Sequence, residues 1–177
     1  MNKLNLGCGP DVREGWENVD RDPYEGAIQC DFLATPLPFD DNHFDIVVAN
    51  HTIQMIRYVD LPKAMAEIHR VLKPSGTVRI LVPDLLAAIS AFERNEPTWF
   101  PIVNEAETSI GGKLCAYITW YSEANLVFTP SWLAEIVQRS GFQASILAVG
   151  GTASGIDEIL ELDSRPRESI VVEGRKL

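Results

Sequence analysis

The chain has 177 residues, of which 46% are hydrophobic and 23% are charged, and its formal net charge at pH 7 is −10. This length and composition are typical of one globular domain with a full core. The acidic balance opposes a nucleic-acid backbone over most of the surface, and no apolar run approaches the ~20 residues of a membrane-spanning helix. We therefore expect a small molecule, a glycan or a protein as the partner, and neither nucleic acid nor membrane.

The cysteines and the N-terminal region bear on the compartment. Cys8, Cys30 and Cys115 are scattered and odd in number. Such a pattern predicts free thiols rather than a disulfide framework or a CxxC metal site. No secretory hydrophobic region is evident at the start of the sequence. The sequence therefore predicts a cytoplasmic protein without a metal centre.

Short apolar runs alternate along the chain with segments of helical periodicity. The clearest helix covers residues 60–72, with Asp60 as a candidate N-cap and Pro62 in its first turn. Strands that alternate with helices predict an α/β fold with a mostly parallel sheet. The predicted strands cover residues 3–6, 16–19, 27–30, 45–49, 77–82, 142–149 and 169–172, and the other predicted helices cover residues 85–92 and 129–140.

Residues 93–128 form the least regular part of the sequence. We interpret them as a partly helical insertion or lid within a single domain that spans residues 1–177. The aromatic residues of this part are Trp99, Phe100, Tyr117, Trp120, Tyr121 and Phe128. The group from Tyr117 to Phe128 either packs in the core or lid or lines an acceptor pocket.

Candidate site residues follow the predicted strands. In parallel α/β sheets, ligands bind beyond the carboxyl ends of the strands. A Gly-x-Gly turn lets the backbone approach a ligand closely, and a carboxylate after the next strand can accept from both hydroxyls of a ribose. The residues at these ends are Gly7, Cys8 and Gly9, then Asp20, then Asp31 and Phe32, then Asn50 and His51, and finally Pro83 and Asp84.

Each of these residues also has a plainer interpretation. Asp20 can form a turn before Pro23, and Asp31 can be a solvated strand end. Asn50 can cap the local backbone, and His51 can be a hydrogen-bonded structural histidine.

The glycine pattern departs from a dinucleotide-binding motif. The third glycine of GxGxxG is missing, and the crossover at residues 11–15 is too short for a full helix. This turn would be a poor cradle for a pyrophosphate, but it suits a ligand without phosphates. Tyr117 is followed four residues later by Tyr121 rather than by a lysine, so the pairing of short-chain reductases is not evident. An NAD-dependent oxidoreductase is therefore the less favoured alternative.

Several ordered stretches resemble the class I S-adenosylmethionine-dependent methyltransferases, in particular their small, compact bacterial-type members. The resemblance is strong over about residues 3–83, moderate over 126–142 and 163–172, and poor over 93–125. The stretches that carry it are LNLGCGP at 4–10, WENVD at 16–20, LPFDDNHFDIVV at 37–48, EIHRVLKPSG at 67–76 and SGF at 140–142.

The resemblance implies a Rossmann-like sheet of seven strands, mostly parallel, with helices on both faces and the last strand antiparallel. It also implies S-adenosylmethionine as the cofactor. Gly7, Cys8 and Gly9 would surround its methionine moiety, and Asp20 would bind its ribose hydroxyls. Asp31 and Phe32 would hold the adenine, Phe32 by its backbone or by packing, and Asn50 would lie near the sulfonium.

The implied activity is methyl transfer to a small-molecule or glycan acceptor by in-line displacement. Such a step needs alignment and exclusion of water rather than a metal or a covalent intermediate. His51 and Asp84 are the candidate catalytic residues, and a general base is needed only for an acceptor that arrives protonated.

One departure from the family leaves a second class of function open. Related proteins often carry Glu-His where this chain has Gln54 and Met55, neither of which titrates. This departure puts any carried-over acid–base role in doubt. A non-catalytic regulatory module that binds S-adenosylmethionine is therefore the alternative to an enzyme.

Overall fold

The computed structural model describes residues 1–101 and 108–177 and contains one seven-stranded sheet. The order of the strands across the sheet is β3-β2-β1-β4-β5-β7-β6, and β7 runs antiparallel to both of its neighbours. This confirms the predicted fold class, including the antiparallel last strand. The strands are β1 (Lys3–Leu6), β2 (Glu17–Asp20), β3 (Ile28–Gln29), β4 (Phe44–Asn50), β5 (Leu72–Pro83), β6 (Phe142–Leu147) and β7 (Ser169–Lys176).

Four α-helices accompany the sheet in the described part of the chain: α1 (Leu61–Val71), α2 (Leu85–Glu93), α3 (Ile110–Thr119) and α4 (Pro130–Arg139). Short 3₁₀ helices cover Ile53–Met55, Tyr58–Asp60, Pro97–Trp99, Trp120–Ser122 and Asp157–Leu162. None of the helices in the described ranges combines the length and the apolar character needed to cross a membrane. The predicted insertion at residues 93–128 includes α3. Residues 102–107 of this insertion lie outside the described residues.

The last strand is longer than the sequence predicts. β7 continues to Lys176, although the expectation ended at residue 172. Its polar second half pairs with β5 on one side and β6 on the other, so backbone hydrogen bonds hold it on both edges. Apolar periodicity alone missed this half because Glu173 and Lys176 are buried with polar partners.

The start of α1 also differs from the expectation in detail. Asp60 occupies the N-cap position, but its side chain caps no backbone amide. The preceding 3₁₀ helix leaves Asp60 in a helical backbone conformation, and the carboxylate pairs instead with Arg57 at 2.6 Å. By contrast, the hydroxyl of Thr129 caps α4 as predicted, accepting from the amide of Trp132.

The two faces of the sheet are covered differently. α1 and α4 bury their apolar sides against one face, together with Val78, Ile80 and Val172. On the opposite face, the 3₁₀ helix Asp157–Leu162 packs against residues such as Leu81 and Val171. α2 and α3 form a separate apolar cluster with each other near the carboxyl end of β5.

A buried group of charged residues connects the sheet to the segment between β6 and β7, which covers its second face. Arg79 is fully buried on β5 and forms ion pairs with Asp163 at 2.5 Å and with Glu173 at 2.6 Å. Its guanidinium also donates to the carbonyl of Gly151 at 3.0 Å. Glu173 accepts in turn from the amides of Ala153 and Ser154. The connection between β6 and β7 therefore depends on one guanidinium.

We predict that Arg79→Met destabilises the protein by about 3–5 kcal/mol, because two carboxylates remain buried without their cation. Urea unfolding measured at neutral pH gives this difference directly. The matched control is Arg139→Met, which removes an exposed arginine paired with Glu135 at 3.4 Å. That substitution should change the free energy of unfolding by no more than ~0.5 kcal/mol. Equal losses in the two variants would contradict the assigned importance of the buried group.

Candidate functional site

The glycine turn after β1 is bound to the neighbouring strand β2. Gly7 and Gly9 have φ values of +70° and +53°, which glycine adopts most readily. The amides of Gly7 and Cys8 donate to the carbonyl of Val19 at 2.8 and 3.1 Å, and the amide of Gly9 donates to Asp20 Oδ2 at 2.7 Å. All three amides are therefore already used within the protein. A ligand would approach the outer surface of this turn rather than take its amides.

The two glycines are required for different reasons. A Cβ atom at Gly7 would lie 2.2 Å from Thr52 Oγ1, whereas a Cβ atom at Gly9 would meet nothing within 4 Å. Gly7 is thus required by the close approach of Thr52, which follows β4. Gly9 borders open space, and there a ligand can approach the backbone.

The contacts of Asp20 are compatible with both interpretations that the sequence left open, a turn and the binding of ribose hydroxyls. Its Oδ1 accepts from the amide of Asp22 at 2.9 Å, as in a turn, while its Oδ2 accepts from Gly9. Each carboxylate oxygen has a second lone pair, so the half-buried group can still accept from the two hydroxyls of a ribose. Burial and the charge of Asp20 raise the pKa of the neighbouring Cys8 thiol to about 11. Cys8 is therefore neutral at physiological pH.

Asp31 and Phe32 face different environments after β3. Asp31 is exposed, and its Oδ1 accepts from the amide of Leu33 at 3.0 Å. The ring of Phe32 is buried in the main core. An adenine contact at Phe32 would therefore use its backbone, and both adenine roles stay predictions.

Asn50 holds the connection that precedes β7. Its Nδ2 donates to the carbonyl of Leu162 at 2.6 Å and to Ser164 Oγ at 2.8 Å. Its Oδ1 is buried without a hydrogen-bond partner among the described residues. This orphaned acceptor is compatible with a nearby cationic or donor group of a ligand, and the predicted contact with the cofactor stays a prediction.

His51 lies at the end of β4 with φ +52° and has partners on both ring nitrogens. Nε2 lies 2.8 Å from Ser169 Oγ, and Nδ1 lies 3.4 Å from a guanidinium nitrogen of Arg165. The hydroxyl of Ser169 donates to the carbonyl of Arg165 at 2.9 Å, so its oxygen accepts from Nε2–H. This network assigns the proton to Nε2 and leaves Nδ1 as an acceptor. Burial, and then the charge of Arg165, lower the pKa of His51 to about 3.

Asp84, the second candidate catalytic residue, caps α2. Its Oδ1 accepts from the amides of Leu86 and Ala87 at 2.9 and 3.2 Å. Its own amide donates to the carbonyl of Glu168 at 2.8 Å. These contacts give Asp84 a structural role as the cap of α2, and its catalytic role stays a prediction.

A narrow cavity lies at the carboxyl end of β4 and β5, beside His51. Its lining includes Gln54, Tyr117, Trp120 and Arg165 together with the apolar side chains of Pro83, Leu85, Leu126 and Val127. Tyr117 and Trp120 thus line a cavity, and the prediction that these aromatics bind an acceptor stays a prediction. Tyr117 is buried and donates its hydroxyl to the carbonyl of Glu168 at 3.2 Å.

Sequence reasoning missed three residues beside this cavity: Arg165, Glu168 and Ser169. They lie more than 110 positions after His51, Arg165 and Glu168 on the connection before β7 and Ser169 at the start of that strand. The predicted residues divide into two groups. Gly9 and Asp20 contact each other, whereas His51 contacts the residues that were missed.

Comparison with known proteins agrees with this fold. Residues 4–80 match the sequence profile of a family described as a methyltransferase domain. The 2-phytyl-1,4-naphtoquinone methyltransferase of Nostoc punctiforme is 42% identical over 54 residues, which cover 30% of this chain and 22% of that protein. A ubiquinone/menaquinone biosynthesis C-methyltransferase of Paraburkholderia xenovorans is 36% identical over 63 residues, which cover 36% of this chain and 24% of that protein. The matched segments thus span less than a quarter of these relatives.

Solved structures match nearly the whole chain. A SAM-dependent methyltransferase from Archaeoglobus fulgidus has a TM-score of 0.64 at 15% identity, covering 99% of this chain and 86% of its own. The 1,6-didemethyltoxoflavin-N1-methyltransferase of Burkholderia thailandensis, solved with 1,6-didemethyltoxoflavin and S-adenosylhomocysteine, has a TM-score of 0.58 at 15% identity, covering 98% of this chain and 70% of its own. At this identity the similarity shows the fold.

The architecture is therefore that of a Rossmann-like methyltransferase domain. The match over residues 4–80 and the shared fold support the predicted resemblance to the class I S-adenosylmethionine-dependent methyltransferases, whose cofactor is S-adenosylmethionine.

We predict that Gly7→Ala destabilises the fold more than Gly9→Ala does. Both substitutions place an alanine at positive φ, which costs about 1 kcal/mol. Only the first also forces a methyl group against Thr52, which adds roughly 1–3 kcal/mol of overpacking. Urea unfolding of the two variants measures the difference, and indistinguishable stabilities would contradict it.

We also predict a pH-dependent contribution of His51 to stability. The folded pKa lies near 3 and the unfolded pKa near 6.5, so only the unfolded chain takes up this proton between those values. The free energy of unfolding should therefore fall by up to ~1.4 kcal/mol per pH unit from this group as the pH drops below about 6.5.

The variant His51→Asn tests this contribution, because asparagine tolerates positive φ and does not titrate. Unfolding measured at pH 4.5, 5.5 and 7 should show a shallower acid slope for the variant. The other titrating groups are common to both proteins and cancel in the comparison. Parallel curves would show that His51 is not held neutral.

Proposed function

We propose that this chain transfers the methyl group of S-adenosylmethionine to a small-molecule or glycan acceptor by in-line displacement. The observation that carries the proposal is that the Gly9–Asp20 contact and the cavity beside His51 lie at the same edge of the sheet. The Gly9–Asp20 contact lies at the carboxyl ends of β1 and β2, and the cavity beside His51 lies at the ends of the adjacent β4 and β5. A cofactor and an acceptor can therefore occupy neighbouring positions there.

In this proposal the cofactor half of the site is formed by residues of β1, β2 and β3. Asp20 would accept from the ribose hydroxyls, and the open surface of Gly9 would face the methionine moiety. Asp31 would bind the adenine amine, and Asn50 would present its unpartnered Oδ1 towards the sulfonium end. When bound, the cofactor supplies an electrophilic methyl group.

The task of the protein in this reaction is alignment rather than covalent catalysis. Methyl transfer requires the nucleophile, the methyl carbon and the sulfur to lie in a line, in a site that excludes water. The buried walls formed by Tyr117 and Leu126 support such a site. His51 and Asp84 stay the candidate bases for an acceptor that arrives protonated. The neutral imidazole of His51 has the protonation state of a base, although Nδ1 faces Arg165.

The names of the relatives support a small ring-shaped acceptor. Two curated relatives are named for methyl transfer in the chemistry of quinones, and one similar structure holds 1,6-didemethyltoxoflavin. The cavity of this chain has a volume of only about 20 Å³, enough for about one water molecule, so a ring-shaped acceptor requires its walls to move apart. A glycan, a cytoplasmic location and a lid function for residues 93–128 remain parts of the proposal.

We predict that Asp20→Ala weakens the binding of S-adenosylhomocysteine by about 10- to 100-fold, because hydrogen bonds to a charged acceptor are lost. Calorimetric titration measures the affinity. The matched control is Asp22→Ala, which removes an equal negative charge two residues after Asp20. The side chain of Asp22 is exposed, so this variant should bind S-adenosylhomocysteine like the wild type. Unfolding measurements on both variants separate a binding effect from loss of the fold.

The same titration decides among the functional alternatives. Unchanged affinity in Asp20→Ala would contradict the assigned geometry. Binding of NAD without binding of S-adenosylhomocysteine would favour the oxidoreductase. Tight cofactor binding without turnover of quinol, phenol and sugar acceptors would favour the regulatory module.

A further inference from the structure

The cavity beside His51 contains a buried amide oxygen that lacks a partner. Gln54 is only 3% exposed and lines the cavity, and its Nε2 donates to the carbonyl of His51 at 2.6 Å. This bond fixes the orientation of the amide, because a carbonyl must receive a donor. Oε1 is then left buried without a hydrogen-bond partner among the described residues. Such an atom costs free energy unless a ligand supplies a donor.

A guanidinium lies in the wall of the same cavity. Arg165 lies over the ring of Trp120, with its central carbon 5.1 Å from the ring centroid. Its side chain is 43% exposed, and its residue has φ +58°, a backbone conformation that is rare for arginine. The surrounding contacts therefore hold this guanidinium at the cavity.

The protein contacts of Arg165 are long. Its Nε lies 3.8 Å from Glu168 Oε1, and its Nη1 lies 3.4 Å from His51 Nδ1. Burial raises the pKa of Glu168, and its carboxylate lies farther from the guanidinium than a hydrogen bond allows. His51 cannot compete for an anion, because its pKa is lowered to about 3 and the ring is neutral. The guanidinium fork thus keeps donor capacity for a planar anion.

We propose that this cavity selects a small, largely apolar acceptor that carries a carboxylate for Arg165 and a hydrogen-bond donor for Gln54. Arg165 is then the residue that determines specificity, and His51 and Trp120 position it. The chain carries a net charge of −10, so a carboxylate would be repelled from most of the surface and attracted at this cation. The inference rests on the proposed function, because it describes the acceptor of the same site.

The test uses benzoate and its neutral isostere benzamide as probes. Both are titrated by saturation-transfer NMR into the full chain saturated with S-adenosylhomocysteine. Benzoate should bind about tenfold more tightly than benzamide, as expected for a charge-assisted pair. In Arg165→Gln this preference should fall to within about twofold, while Arg165→Lys should keep part of it because the charge remains. The matched control, Arg167→Gln, removes an equal charge from an exposed neighbour and should keep the full preference.

The three hydroxybenzoates test the second contact. At least one of them should bind more tightly than benzoate to the wild type, and Gln54→Met, which has a similar volume and no amide oxygen, should abolish this gain. Equal binding of benzoate and benzamide, absence of benzoate binding, or a preference that survives in Arg165→Gln would each overturn the proposal. Failure of the wild type to bind S-adenosylhomocysteine would instead refute the proposed function. Retained cofactor binding in each variant shows that the fold is intact.

Discussion

The buried guanidinium of Arg79 is the interaction on which much of this structure depends. A charge in the interior is tolerated only when it is paired and hydrogen-bonded, and here Asp163, Glu173 and the carbonyl of Gly151 meet that requirement together. These contacts hold the connection between β6 and β7 against the second face of the sheet, where the 3₁₀ helix Asp157–Leu162 and Trp16 provide apolar cover. The same connection then carries Arg165, so the cavity beside His51 depends on the buried group.

The two halves of the proposed site differ in the sequence separation of the residues that contact each other. The cofactor half is local, because Gly9 meets Asp20 only 11 positions later. The acceptor half joins distant parts of the chain, since His51 contacts Ser169 across 118 positions. A cofactor that is common to a whole class of proteins requires a similar local arrangement of residues in each of them. The residues that contact His51 from a distance, Arg165 and Ser169, lie beyond residues 4–80, the stretch that matches the family profile.

Two of the stretches that carry the resemblance contact each other rather than a ligand. Glu67 accepts from the amide of Leu37, and Arg70 donates to the carbonyl of Phe39 and to Asp41. The end of α1 thereby fixes the loop that leads into β4. Because β4 ends at Asn50 and His51, this network positions the centre of the site from the opposite edge of the sheet. These motifs are therefore structural, although they identify the family as surely as the glycine turn does.

The sequence by itself determined the sheet, the positions of most strands and helices, and the set of strand-end residues, because alternating apolar runs, glycine turns and helix caps are signals between near neighbours in the chain. The tertiary structure alone decided that the amides of the glycine turn are occupied, that Gly7 is required by Thr52, and that the polar half of β7 is buried beside Arg79. It also brought Arg165 to His51. An ion pair or a contact between residues a hundred positions apart leaves no periodic pattern in the sequence, since each partner alone has the composition of an exposed polar residue.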